Sequence, residues 1–193
     1  MDYDWERRVN TTAGSVDWRT RLLGVFHSPY QPTEPALFRE MMAALPIDFR
    51  QFTFVDIGSG KGRTLLLAAE YPFQRIIGVE LIAELHRAAG ENIAAWRAQS
   101  PARIAPAAIE SLQMDAREIE FPETALVVYL FNPLPEAGLR RVILNIEESR
   151  KRAPRPIWIV YHNPLLEGIL ANSAILIKER GEAQYSIYRV AER

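Results

Sequence analysis

The chain has 193 residues, and its basic and acidic residues nearly cancel, 23 against 24, for a formal charge of −1. That length fits one domain able to bury roughly 70% of its unfolded surface, and the balanced charge makes a nucleic-acid partner an unfavoured expectation. There is no cysteine, which excludes disulfides, thiolate zinc sites, iron–sulfur clusters and a cysteine nucleophile, and suits a reducing, cytoplasmic setting.

Taken in chain order, the opening Met1–Arg8 is too polar for a signal peptide. Residues 1–48 read as a helical extension packed on the core, with Trp5 and Trp18 as anchors. Thr33 is the expected N-cap of a helix that carries Pro35 in its first turn and Leu37, Met41 and Leu45 at helical spacing. Residues 49–193 form the main domain. Phe52–Ile57 is aromatic and β-branched and stops at Gly58, which predicts a buried strand. A helix over Leu65–Glu70 and a strand over Arg75–Val79 follow. Ile82, Leu85, Ala89, Ile93 and Trp96 mark one face of a long helix. Gln99–Pro106 reads as a loop, and a weak strand ends at Met114.

Ala125–Phe131 is apolar throughout, as a central parallel strand requires, and falls far short of the ~20 residues that cross a membrane. Leu139, Val142, Ile143 and Ile146 give the next helix its buried stripe. The basic run Arg150–Arg155 reads as a solvated loop before a fifth strand, Pro156–Tyr161. Ile175–Glu179 and Gln184–Val190 flank Gly181 as a closing antiparallel hairpin. The fold class is therefore α/β: a doubly wound, mainly parallel, seven-stranded, Rossmann-like sheet with a C-terminal antiparallel hairpin and a helical N-terminal extension. Ligands of such sheets sit beyond the carboxyl ends of the strands, where strand order reverses.

The first strand runs into Asp56-Ile57-Gly58-Ser59-Gly60-Lys61-Gly62-Arg63. Glycines at alternate positions admit a ligand that Cβ atoms would repel, and the helix N-terminus beyond suits an anion. A Walker A loop fails here, because Gly62 follows Lys61 and Val55 stands at the earlier glycine position. A dinucleotide fingerprint is damaged by Arg63 at its third glycine.

The segment resembles the cofactor loop of class I S-adenosylmethionine-dependent methyltransferases, in which an acid precedes a G-x-G-x-G run, as Asp56 precedes Gly58, Gly60 and Gly62. The resemblance covers about residues 50–190 and implies S-adenosylmethionine as cofactor. It implies that Asp56, Ile57, Gly58, Ser59, Gly60 and Gly62 shape the cofactor loop, and that Glu80, followed by Leu81, grips the ribose hydroxyls at the end of the second strand. Asp115 and Ala116 would flank the adenine.

Near the transferable methyl, Asn132-Pro133-Leu134-Pro135 is similar to the Asn/Asp-Pro-Pro-aromatic motif of amino-group methyltransferases, but lacks its aromatic. This makes Asn132 the candidate for orienting an acceptor while lining the cofactor site, and argues against a nucleobase. His162, closing the fifth strand, is a candidate base near neutral pH. Tyr30 and Thr33 are candidates for a loop that closes over the cofactor in Dot1-like and other lysine methyltransferases. No triplet of metal ligands is apparent. The expected activity is in-line methyl transfer to an unidentified acceptor, an amine of a protein or small molecule being favoured. An NAD(P)-dependent oxidoreductase and a non-catalytic cofactor-binding module stay open as alternatives.

Overall fold

A computed structural model describes residues 3–12, 32–99 and 108–191. Helix α1 (Tyr3–Arg7) precedes α2 (Pro35–Ala43), which leads through a 3-10 turn into β1 (Phe52–Ile57). There follow α3 (Arg63–Ala68), β2 (Arg75–Glu80), α4 (Ala83–Gln99), β3 (Ile109–Gln113), β4 (Ala125–Leu130), α5 (Glu136–Arg152), β5 (Ile157–His162), α6 (Glu167–Ala171), β6 (Leu176–Gly181) and β7 (Tyr185–Val190). The sheet order is β3-β2-β1-β4-β5-β7-β6, with β7 antiparallel to both its neighbours and the remaining pairs parallel. The predicted architecture and closing hairpin are present, and strand order reverses between β1 and β4.

Alternation along each central strand divides the core into two layers. Phe54, Ile76, Tyr129 and Val160 face a layer built with Phe38, Met41 and Met42 of α2 and Leu65 and Leu66 of α3. Val55, Ile77, Val128 and Ile159 face the other layer, with Leu139, Val142, Ile143 and Ile146 of α5 and Leu170 of α6. β1 and β4 are wrapped on both faces, which is why their sequences are almost continuously apolar. Edge strand β6 is exposed beyond Leu176, and its register slips between Lys178 and Arg180. Among the described residues no helix is long and apolar enough to cross a membrane.

Three expectations need correction. Glu34, not Thr33, is the N-cap of α2 and makes no side-chain cap bond; the Thr33 hydroxyl is buried and shares a 2.8 Å hydrogen bond with the Tyr129 hydroxyl. Trp5 does not anchor the extension, being 83% exposed; the neighbouring Tyr3 is buried instead. Trp18 lies outside the described residues. The run Arg150–Arg155 is not a solvated loop: its first three residues complete α5, and Arg155 is buried. Arg155 donates to the carbonyls of Pro122, Thr124, Ser149 and Ala153 and to the Ser149 hydroxyl, so its guanidinium pins the end of α5 to the approach to β4.

Candidate functional site

At the carboxyl end of β1 the chain turns through Gly58, Gly60 and Gly62 with φ of 81°, 53° and 83°. All three lie in the left-handed region that side-chain-bearing residues avoid. The N–H groups of Gly58 and Ser59 both donate to the Val79 carbonyl, at 2.8 and 3.0 Å, so the loop is stitched to β2. Glu80, the last residue of β2, accepts the Gly60 N–H on Oε2 at 2.9 Å and the Ile82 N–H on Oε1 at 2.8 Å. Each carboxylate oxygen keeps acceptor capacity for one further donor, the arrangement two vicinal hydroxyls need. Helix α3, which begins directly after Gly62, has six residues.

Asp56 is fully enclosed beneath this loop. Its Oδ2 and the Ser59 hydroxyl are buried with no partner among the described residues. Burial pushes the Asp56 carboxyl up to about 8, against an opposing pull from the Thr64 hydroxyl and with a smaller push from the charge of Glu80. Burial also raises Glu80, opposed by the backbone N–H groups of Ile82, Gly60 and Leu81. Two carboxyls at the ends of adjacent strands, one of them with an unpartnered oxygen, suit a ligand that brings positive charge and hydroxyl donors.

The third strand delivers Asp115 and Ala116 to the same edge, since the Met114 N–H donates to the Glu80 carbonyl at 3.1 Å. Ala116 is buried and Leu81 is 46% exposed. The Asp115 carboxylate is engaged by the Arg117 guanidinium and backbone N–H, and the guanidinium holds it below the usual carboxylate range. Asp115 therefore caps a 3-10 turn over Ala116–Glu118.

At the acceptor end, Asn132 also has positive φ, 44°. Its carboxamide donates to the Asn163 carbonyl and accepts from the Tyr161 hydroxyl at 2.9 Å. That side chain ties the turn after β4 to the turn after β5, using one of its two amide N–H donors. His162 is buried, stacked on Phe131 with ring centroids 3.8 Å apart. Its Nδ1 shares a 2.7 Å hydrogen bond with the Tyr129 hydroxyl. Burial lowers His162 to about 4, and its ring closes a hydrogen-bonded Thr33–Tyr129–His162 chain. Tyr30 lies outside the described residues. Among them no group of His, Asp and Glu could hold a metal ion.

Sequence reasoning missed Tyr129, although a hydroxyl inside the apolar run of β4 is a signal in itself. Tyr129 stands in register with Asp56 across the β1–β4 pair. Asp4 and Arg63, which form a nearly buried ion pair at 3.0 Å beside the glycine loop, carried no motif.

Comparison of the sequence with family models and with curated proteins finds no match. Among solved structures, the chain is similar to an RNA methyltransferase from Salinibacter ruber in complex with S-adenosyl-L-homocysteine. The identity is 20%, the match covers 83% of this chain and 92% of that one, and the TM-score is 0.55. It is similar to a ribosomal protein L11 methylase from Lactobacillus delbrueckii subsp. bulgaricus at 13% identity, over 82% of this chain and 77% of that one, with a TM-score of 0.51. It is also similar to a predicted N6-adenine-specific DNA methylase from Listeria monocytogenes at 14% identity, over 88% of this chain and 54% of that one, with a TM-score of 0.59. At these identities the likeness is one of fold: the chain shares with these methylases a doubly wound sheet closed by an antiparallel hairpin.

Proposed function

We propose that this chain binds S-adenosylmethionine at the glycine loop and transfers its methyl group to an acceptor nucleophile. The observation that carries the reading is the Glu80–Gly60 bond, which joins a carboxylate with free acceptor capacity to a loop of left-handed glycines at the reversal of strand order. The site fits the cofactor on its own chemistry: no Cβ fills the cradle, Glu80 can accept two hydroxyls, and the unpartnered Oδ2 of Asp56 favours a cation nearby. In this reading Gly58, Gly60 and Gly62 admit the cofactor, Ile57 and Ser59 complete the loop, Glu80 holds the ribose, and Leu81, Asp115 and Ala116 border the adenine. The bound sulfonium supplies the activated methyl group, and the protein holds the acceptor in line with it. Asn132 fixes the backbone of the acceptor-side turn, and Tyr30 remains a candidate for the closing loop.

An amine of a protein or small molecule is the acceptor class we favour, because the turn after β4 lacks a stacking aromatic at Leu134 and Pro135. The RNA and DNA named for two of the structural neighbours put oligonucleotides into the acceptor screen as well. A binding-only module is the second reading, favoured by the internal commitment of both Asn132 and His162.

Calorimetry with S-adenosylhomocysteine, NAD and NADP tests the cofactor. Only the first should bind, and Glu80→Ala should weaken it by about 1–3 kcal/mol through loss of buried hydroxyl contacts. Unchanged affinity in the variant removes Glu80 from the site, and binding of NAD alone overturns the proposal. Tritiated methyl transfer to amines, peptides, RNA and DNA then separates the enzyme from the binding module.

A further inference from the structure

The side chains that alternate with the loop glycines hold the loop from two directions. Ser59 packs inward, since a Cβ on Gly78 would stand 2.6 Å from its hydroxyl. Lys61 and Arg63 reach outward to residues 3–12. Arg63 donates to the Thr11 hydroxyl at 2.7 Å and to Asp4 Oδ1 at 3.0 Å, and lies 5.3 Å from the centroid of the Tyr3 ring. The same Asp4 carboxylate accepts the backbone N–H groups of Thr11 and Thr12, at 2.8 and 2.6 Å, curling the segment around the guanidinium. Lys61 donates to the Thr12 carbonyl at 2.9 Å. Asn92 of α4 closes the junction, accepting the Asn10 N–H at 2.8 Å and donating to the carbonyls of both Asn10 and Lys61 at 3.0 Å.

We propose that residues 3–12 are a strap that holds the glycine loop in its ligand-binding shape, with Asp4 and Arg63 as its positioning residues. The proposal rests on the cofactor site argued above. A loop with three left-handed glycines is costly to order, so a preformed cradle has to be fixed by the residues between them. The Asp4 and Arg63 side chains are only 12% and 7% exposed, and neutralising Asp4 removes the counter-charge of a guanidinium held in a low dielectric. The restraints fall within one short stretch: Arg63 and Lys61 are held by the strap, and Gly60 is held by Glu80. Docking of the strap and binding at the loop therefore favour each other, and such coupling is reciprocal.

Calorimetry with S-adenosylhomocysteine on the full chain, with Asp4→Asn and Lys61→Met as variants, tests the coupling from one side. Hydrogen exchange over residues 3–12, with and without that ligand, tests it from the other. We expect each variant to raise Kd, Asp4→Asn by about 5- to 150-fold, the usual span of coupling between sites, and the ligand to slow exchange in the wild-type strap. Lys61→Met keeps the test open if Asp4→Asn folds poorly. Wild-type affinity in both variants, or exchange in the strap that ignores the ligand, overturns the strap while leaving the cofactor site standing. Failure of the wild-type chain to bind at all overturns both.

Discussion

A Cβ placed on Gly58 would stand 2.5 Å from the Cβ of Pro133, so the loop after β1 and the turn after β4 meet with room for a hydrogen only. The glycine loop and the turn after β4 are in this sense one packed block. The Gly58 backbone is also left-handed, at φ 81°. Gly58→Ala combines backbone strain of about 1 kcal/mol or more with an overpacking cost of about 1–3 kcal/mol. The expected result is a lowered Tm together with lost S-adenosylhomocysteine binding; an alanine variant that melts and binds like the wild type contradicts the close approach.

Asp56 titrates in the direction opposite to most carboxyls. Its folded value, about 8, lies above the usual 3.8, so the native state retains a proton that the unfolded chain releases. The stability this contributes is complete below pH 3.8 and is lost as pH rises through about 8. Asp56→Asn imitates the protonated form. In ligand-free protein at pH 8 the variant should gain up to about 5 kcal/mol, and its advantage should shrink toward pH 4. Melting curves across that range measure it, and a variant less stable than wild type at pH 8 rules out the buried neutral carboxyl.

The same carboxyl makes proton release a reporter of ligand charge. S-adenosylmethionine carries a sulfonium and S-adenosylhomocysteine a neutral sulfide. A cation held against Asp56 favours its ionised form, so the first ligand should release up to about one proton at pH 7 and the second distinctly less. Calorimetry in buffers of different ionisation enthalpy reads the difference. Identical release by the two ligands places Asp56 away from the sulfur.

His162 works the other way. Its folded value of about 4 lies below the usual 6.5, so the unfolded chain takes up the proton first. The associated stability is present above pH 6.5 and is lost as pH falls toward 4. Relative to His162→Asn, the wild type should lose about 3 kcal/mol across that window. Between about pH 4 and 6.5 this slope opposes that of Asp56. A stability difference between wild type and variant that stays level from pH 7 to 4 excludes a buried, neutral imidazole.

The fold was legible because its signals are local and repetitive. Continuous apolar runs gave β1 and β4, spacing gave the buried face of α5, and Gly181 between two short runs gave the hairpin. The cofactor edge was legible as residue types, since positive φ at alternate positions restricts the choice to glycine. What the sequence withheld is long-range. The Asp4–Arg63 pair joins positions 59 residues apart, and no periodicity anticipates it. His162 and Asn132 were visible as polar groups at strand ends, but the hydroxyls of Tyr129 and Tyr161 that occupy them come from other strands. Arg155 looked like part of a charged surface because its partners are carbonyls, which every residue has and no sequence pattern displays.

The outermost strand has a consequence for how copies of this chain can meet. β6 presents Lys178, Glu179 and Arg180 to solvent, and its pairing with β7 slips at that point. A neighbouring molecule seeking to extend the sheet there would have to bury alternating charges along a bent ladder, which resists intermolecular β-pairing. Self-association through that border of the sheet is therefore disfavoured.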